Sequence, residues 1–248
     1  VILVHCADYS GCVSVVVPVR NEAENLWPLI EEIQDALDGH ADYEIIYVDD
    51  GSDDDTPARL AQARERCPRL RVVRHRSACG QSTAVATGVR AARFPWIATL
   101  DGDGQNDPAD LPKLLAAVGP GQRTPDLNLV IGWRTTRNDS GVRRWSSRIA
   151  NRVRGGLLGD RTPDTGCGLK VFPREVFLRL PFFDHMHRFM PALVLRDGGQ
   201  VLSVPVHHRP RTAGVSKYGI GNRLWVGIVD LFGVLWLKRR MQRPQTET

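Results

Sequence analysis

The 248-residue chain lacks an apolar run of the ~18–20 residues needed to span a bilayer. Leu224 to Leu237 comes nearest. Asp230 interrupts it, and Arg223 and Lys238-Arg239-Arg240 flank it. Its apolar residues run almost all round, which suits a helix in a headgroup layer or one packed on the body. Cysteine is scarce: Cys6, Cys12, Cys67, Cys79 and Cys167 are odd in number and have no paired metal-ligand spacing. That excludes a disulfide scaffold and fits reduced thiols of a cytoplasmic protein. His187, His207 and His208 lack a matching Cys or His pair for a tetrahedral ion. Aromatic residues make up 7% and do not interleave with the basic clusters, which argues against nucleic-acid binding. There is no internal repeat. Val1-Ile2-Leu3-Val4 is too short for a signal peptide's apolar region, so residues 1–12 are read as a tail.

What is present is a chain with 42% hydrophobic and 25% charged residues, the balance of a globular domain with a sizeable core. The formal net charge is only +5, but its distribution is uneven. Eight arginines and two acids lie between Trp133 and Arg161, and Pro205 to Arg223 holds no acid at all. Clusters of this kind suit phosphate groups or a solvated basic face.

Apolar runs and amphipathic stretches alternate. Strands are expected at Cys12 to Val19, Tyr43 to Val48, Leu70 to Val73, Trp96 to Leu100 and Leu127 to Gly132. Leu26, Leu29, Ile30, Ile33 and Leu37 mark one intervening helix. Thr56 is the expected N-cap of a second, with Pro57 at its first position. Ser82 to Ala92 forms a third, and Asp107-Pro108 opens a fourth. A helical region around Phe189 to Leu195 and a strand at Val201 to Val206 complete the pattern. The alternation predicts an α/β fold, a mostly parallel sheet with helices on both faces. In such sheets ligands bind beyond the carboxyl ends of the strands. Three of these ends carry distinctive residues: Pro18 to Glu22, Asp49 to Ser52, and Asp101 to Gln105. In extended chain, residues two apart point to one side, so Asp101 and Asp103 converge. Hard oxygen ligands at that spacing suit Mg²⁺ or Mn²⁺; a polar turn capping a strand is the alternative.

Together these strand ends resemble the inverting GT-A glycosyltransferases of family two. Val15-Val16-Val17-Pro18-Val19-Arg20-Asn21-Glu22 is similar to the family's opening strand, with Arg20 where tyrosine often stands. Asp49-Asp50-Gly51-Ser52-Asp53-Asp54-Asp55-Thr56 resembles its Asp-Asp-Gly-Ser segment, except that Asp55 replaces the usual glycine. Gly80-Gln81-Ser82 with Gly88 is similar to the helix start that follows. Asp101-Gly102-Asp103-Gly104-Gln105 resembles the metal motif of the branch that uses dolichyl or polyprenyl phosphate. Gly132-Trp133-Arg134, Arg144 with Ser147 and Asn151, and Gly214-Val215-Ser216-Lys217 extend the likeness to that branch. His187-Arg188-Phe189-Met190-Pro191 and His207-His208-Arg209 resemble a bacterial subgroup associated with lipid A or envelope glycolipid modification.

The resemblance implies a GT-A domain over residues 13–222, followed at 223–248 by a membrane-associating or packing helix and a basic tail. It implies sugar transfer from a UDP- or GDP-sugar to a polyprenyl phosphate, with inversion. Asp101, Asp103 and Gln105 would hold Mg²⁺ or Mn²⁺, with Asp103 the direct ligand. Pro18, Arg20, Glu22, Asp49, Asp50 and Asp101 would line the nucleotide-sugar site. Arg134, Arg144, Ser147, Arg209, Ser216 and Lys217 would meet the acceptor phosphate, Arg134 and Arg144 serving catalysis with Asp103. A lipid phosphate is already anionic, so it needs positioning and charge neutralisation where a hydroxyl would need a base. The implied partners are the donor, the lipid acceptor and a membrane surface, without nucleic acid; a membrane-protein partner is left open. The implied location is peripheral, on the cytoplasmic face of the inner membrane. The rival readings are transfer to a sugar hydroxyl and a noncatalytic membrane-binding module of the same fold.

Overall fold

A computed structural model describes residues 11–119, 126–135, 155–210 and 220–240, the last of these for 220–225 by backbone alone. Residues 1–10 of the expected tail, together with Arg144, Ser147, Asn151, Ser216 and Lys217, lie outside the described residues.

Seven strands form one sheet: β1 (Cys12–Val19), β2 (Asp42–Asp49), β3 (Leu70–Arg74), β4 (Trp96–Thr99), β5 (Leu127–Arg134), β6 (Lys170–Pro173) and β7 (Gln200–Val206). Their order is β3-β2-β1-β4-β6-β5-β7. β1 runs parallel to β2 and β4, β2 to β3, and β5 to β7. Only β6 is antiparallel, to β4 on one side and β5 on the other. Inserted that way, it leaves β4 and β5 pointing the same direction. The carboxyl ends of β1, β2, β4, β5 and β7 therefore share one edge of the sheet, and β6 begins there.

The helices are α1 (Leu26–Leu37), α2 (Thr56–Arg66), α3 (Gln81–Ala91), α4 (Leu111–Ala116), α5 (Arg174–Arg179), α6 (Met190–Arg196) and α7 (Ile220–Arg239). Side-chain alternation in β1 feeds two cores. Val13, Val15, Val17 and Val19 join Leu26, Leu29, Ile30, Ile33 and Leu37 of α1 on one face. Val16, with Ile46 and Val48 of β2, joins Ala84, Val85 and Val89 of α3 on the other. Gly88 makes the second contact possible, since a Cβ there would run into the Val16 side chain.

The expected elements are present with ends moved by a residue or two. Cys12, counted in the tail, already pairs with Asp42. Thr56 is the first residue of α2 rather than its cap: Asp55 holds the cap position, and the Asp54 carboxylate accepts from the Thr56 N–H at 2.9 Å. β6 and α5 were not expected. Four residues that start at a lysine and end at a proline carry no readable period, yet all four are buried.

Helix α7 begins three residues before the expected boundary at 223. Val234 is buried against Leu158 and the α6 side of the second core. Ile228, Val229, Phe232 and Trp236, spaced along one stripe, are 37%, 54%, 63% and 60% exposed. Asp230 meets His185 at 3.2 Å, and Arg196 Nε donates to the Leu237 carbonyl at 3.1 Å. Among the described residues no helix is long and apolar enough to cross a membrane.

A buried acid sits in mid-strand. Glu44 in β2 is buried and accepts from Ser14 Oγ at 2.7 Å, the Arg93 N–H at 2.6 Å and Arg71 Nη1 at 2.7 Å. Burial alone would raise its carboxyl; the Arg71, Arg93 and Ser14 hydrogen bonds outweigh that and hold it below its ordinary value. A carboxyl depressed on folding adds stability above its unfolded pKa, and that stability is lost as pH falls through the folded one. Glu44→Gln is expected to cost about 1–3 kcal/mol at neutral pH. In urea titrations at a series of pH values, the gap between variant and parent should narrow below about pH 4.

Candidate active site

Four segments meet at the carboxyl edge, and each is held by bonds to another. In the turn after β1, Asn21 takes a left-handed backbone with φ 55°. Its N–H donates to Ser52 Oγ at 2.9 Å, while its side-chain amide exchanges bonds of 2.5 and 3.0 Å with Asp53. Glu22 N–H donates to Thr56 Oγ1 at 3.0 Å, and the Glu22 carboxylate accepts from Asn25 at 2.7 Å. Arg20 is exposed, and Pro18 is half-buried beside the central cavity.

Asp49 and Asp50, at the end of β2, are both buried. Asp49 accepts from the Ser52 N–H at 2.9 Å and lies 3.1 Å from Arg74 Nε. Asp50 accepts from the Cys79 and Gly80 N–H groups, each at 2.8 Å, and meets His75 Nδ1 at 2.7 Å. Gly51 has φ +67°, and a Cβ on it would lie 2.6 Å from the Ser77 carbonyl carbon, so only glycine fits this turn. Asp50, His75 and Cys79 are the one group of three metal-capable side chains, among the described residues, whose ligand atoms lie within 4.8 Å of one another. Both Asp50 oxygens are already engaged, and His75 Nε2 bonds Thr87 Oγ1 at 2.9 Å. The group therefore works as a hydrogen-bonded post that fixes the start of α3.

Asp101 and Asp103 stand directly after β4. Gln81 Nε2 donates to the Asp101 carboxylate at 2.7 Å, and the Asp101 N–H donates to Asn106 Oδ1 at 2.9 Å. Asp103 accepts from the Gln105 N–H at 3.1 Å, closing a turn through Gly104 at φ +72°. Burial and the Asp103 charge push the Asp101 carboxyl up, against the pull of Lys170 and Arg134. The Asp103 charge disfavours that of Asp101, and a hard divalent cation between the two carboxylates would relieve this. Mg²⁺ or Mn²⁺ fits these residues.

The fourth segment is 164–170. The Arg134 Nε and Nη2 donate to the two Asp164 oxygens at 2.6 and 2.9 Å, a bidentate pair that leaves Nη1 outside it. Burial opposes the Arg134 charge, but the Asp164 bonds outweigh it and the guanidinium is held above its ordinary value. Lys170 is buried and donates to the Cys167 carbonyl. Burial lowers its pKa, while Cys167, Asp101 and Asp164 resist that shift. Gly168 abuts Asp101 so closely that a Cβ would run into the carboxylate and would lie 2.6 Å from Asn106 Oδ1.

Arg209 departs from its expected role. Its Nη1 donates to both Glu32 oxygens at 2.9 Å, and its Nη2 donates to Asp107 at 2.6 Å. With that fork closed by two carboxylates, its N–H anchors the Gln105 carbonyl at 3.0 Å. Arg209 therefore braces the turn that bears Asp103. His207 is likewise engaged, by Asp110 at 2.6 and 3.1 Å.

Between these segments lies a cavity of about 100 Å³, lined on its polar side by Gln81, Thr99, Asp101, Lys170, His187 and Arg188. His187 Nδ1 sits 2.7 Å from Ser82 Oγ. Burial, with Lys170, Arg188 and His185 nearby, holds the imidazole well below its ordinary pKa, so the ring is neutral. Sequence reasoning gave no site role to Gln81, Asn106, Asp164, Lys170 or Arg188. Gln81 lies inside a segment that it had singled out and Asn106 adjoins one, but their hydrogen bonds to Asp101 depend on the fold.

The chain matches the family described as Glycosyl transferase family 2 over residues 14–180. It is 36% identical over 239 residues to the dodecaprenyl-phosphate galacturonate synthase of Rhizobium johnstonii, covering 93% of this chain and 68% of that one. It is 34% identical over 209 residues to the undecaprenyl-phosphate 4-deoxy-4-formamido-L-arabinose transferase of an Enterobacter species, covering 83% of this chain but only 62% of that protein. Among solved structures, it is similar to glucosyl-3-phosphoglycerate synthase from Mycobacterium tuberculosis in complex with Mn²⁺, uridine diphosphate and glucosyl-3-phosphoglycerate. That match has a TM-score of 0.67 at 21% identity and covers 96% of this chain and 84% of the other. At that identity the likeness is one of fold.

The Gly168–Asp101 contact yields a test. Gly168→Ala is expected to displace Asp101 and weaken Mn²⁺ binding about tenfold or more by calorimetry, while circular dichroism stays that of the parent.

Proposed function

The chain belongs to the glycosyl transferase family 2, and on that premise we propose that it moves a sugar from a nucleotide diphosphate donor to a polyprenyl phosphate. The observation that carries this reading is the Asp101–Asp103 pair at the end of β4, on the edge that also gathers the β1 and β2 turns. The relatives named for dodecaprenyl and undecaprenyl phosphate support the acceptor class.

In this reading Asp103, with Asp101 and Gln105, holds Mg²⁺ or Mn²⁺. Such an ion would supply positive charge against the departing pyrophosphate. Pro18, Arg20 and Glu22 flank the nucleotide from the β1 turn. Asp49 and Asp50 contribute from the β2 end, Asp50 chiefly by fixing Cys79 and Gly80 at the start of α3. The acceptor phosphate oxygen attacks the anomeric carbon in line, the carbon–oxygen bond to the diphosphate breaks, and configuration inverts. No base is needed, because the attacking oxygen is anionic. Arg134, oriented by Asp164, offers its remaining guanidinium nitrogen to that phosphate, and Arg144, Ser147, Ser216 and Lys217 are further candidates. Guanidinium forks suit phosphate because their donors match its oxygens in pairs.

The exposed stripe Ile228, Val229, Phe232 and Trp236, followed by Lys238, Arg239 and Arg240, fits a helix lying on an anionic bilayer. A surface so placed would bring the active edge to a lipid acceptor. The proposed location is peripheral, on the cytoplasmic face of the inner membrane.

A donor-by-acceptor screen tests the proposal: UDP- and GDP-sugars with Mg²⁺ or Mn²⁺, with and without a short polyprenyl phosphate. Nucleotide release that depends on the lipid phosphate is expected. Release indifferent to the lipid would point to another acceptor, and no release with any donor would favour a noncatalytic module. Asp103→Asn should lower turnover on the order of 10²-fold or more with the fold intact, and near-parental turnover would remove the metal assignment. In vesicle flotation, Phe232→Ser with Trp236→Ser should lose binding to anionic vesicles and keep the parent's melting behaviour.

A further inference from the structure

The cavity beside Asp101 carries more positive charge than the proposed reaction uses. Arg188 lines it, half-buried, and among the described residues its guanidinium has no hydrogen-bond or ion-pair partner. Lys170 lies in the same wall, buried, and among the described residues its ammonium donates to the Cys167 carbonyl alone. Asp101 faces Lys170, but its carboxylate is already bonded to Gln81 and belongs to the proposed cation site; the Arg188 charge acts on Asp230, which lies outside the cavity lining and is paired with His185. Asp164 is taken by Arg134. His187, the remaining titratable lining group, is kept neutral by burial and by the same cations, with His185 adding to the field. The other lining is small or apolar: Val85, Leu100, Gly166, Gly168 and Met190.

A partly desolvated guanidinium with no direct hydrogen-bonded partner is unfavourable, and a neutral hydroxyl compensates it poorly compared with a carboxylate that it can grip at two points. From this juxtaposition we infer that the donor sugar carries a carboxylate, and that Arg188 selects it. This rests on the nucleotide-sugar reading above and narrows its substrate class to nucleotide-linked uronic acids. The sugar ring occupies the cavity, its acidic substituent facing Arg188 with Lys170 behind. The acceptor phosphate is the rival anion for Arg188. Arg134, the described arginine proposed to meet that phosphate, does not line the cavity, whereas Gln81 and Asp101 do. The cavity thus belongs to the donor side of the site.

Matched donors that differ only at the sugar's terminal carbon decide the matter: UDP-glucuronic acid against UDP-glucose, UDP-galacturonic acid against UDP-galactose, and GDP-mannuronic acid against GDP-mannose. Affinity is read by calorimetry with Mn²⁺ and no lipid, so the result does not depend on the acceptor. In at least one pair the acid should bind about ten- to a hundredfold tighter, as a charge-assisted contact implies. Arg188→Gln should collapse that preference, and Arg188→Lys should restore part of it, with both variants melting like the parent. Equal affinities within every pair would overturn the inference and leave the nucleotide-sugar reading standing. So would an Arg188→Gln variant that loses all donors alike, or one that raises only the KM for polyprenyl phosphate. Failure of every nucleotide sugar to bind would overturn both.

Discussion

Crowding carboxylates at the edge of a sheet is costly, and the rest of this site is arranged around that repulsion. Asp49, Asp50, Asp101 and Asp103 all emerge from strand ends that face one way. Between Asp101 and Asp103 the like charge is felt directly, pushing the Asp101 carboxyl up. Each acid has its own answer. Asp49 has Arg74 and a backbone N–H. Asp50 is saturated by two N–H groups and His75. Asp101 has Gln81, with Lys170 near enough to oppose the upward push on its carboxyl. Asp103 accepts the Gln105 N–H from within its own turn and has further contacts.

The same edge is stiffened from behind. Arg209 joins Glu32 of α1, Asp107 and the Gln105 carbonyl, three points that would otherwise move independently. Asn21 clasps the β1 turn to the β2 turn, and Ser82 clasps α3 to His187. These are hydrogen bonds between loops rather than within them, so the loops hold one geometry for an incoming ligand instead of acquiring it on binding. The His185–Asp230 contact continues the network into α7. The helix with the exposed apolar stripe is thereby tied to the segment that carries His187 and Arg188.

Much of this was legible in the chain. β1, α1 and β2 depend on patterns a few residues long, burial of alternate or three-and-four-spaced apolar side chains, and these appear in sequence as they do in space. The location of the site followed from the same patterns, because carboxylates placed where a buried strand ends must lie at the sheet's edge. β6 escaped notice for the converse reason. Its burial comes from lying between β4 and β5, and four residues beginning with lysine show nothing of those neighbours.

Charge roles were the least legible. A basic cluster in sequence gives no account of which cations are already spent. Arg209 pairs with Glu32, 177 positions away, and Arg134 with Asp164, 30 positions away. Arg188, which the sequence marked as part of a motif without a role, lines the cavity with no hydrogen bond or ion pair to its guanidinium among the described residues. The sequence by itself determined the elements other than β6 and α5, the doubly covered sheet and the acidic strand ends, since each rests on local periodicity and turn chemistry. Only the tertiary structure decided which charges neutralise one another, because electrostatic pairing depends on distance through the folded molecule and not on distance along the chain.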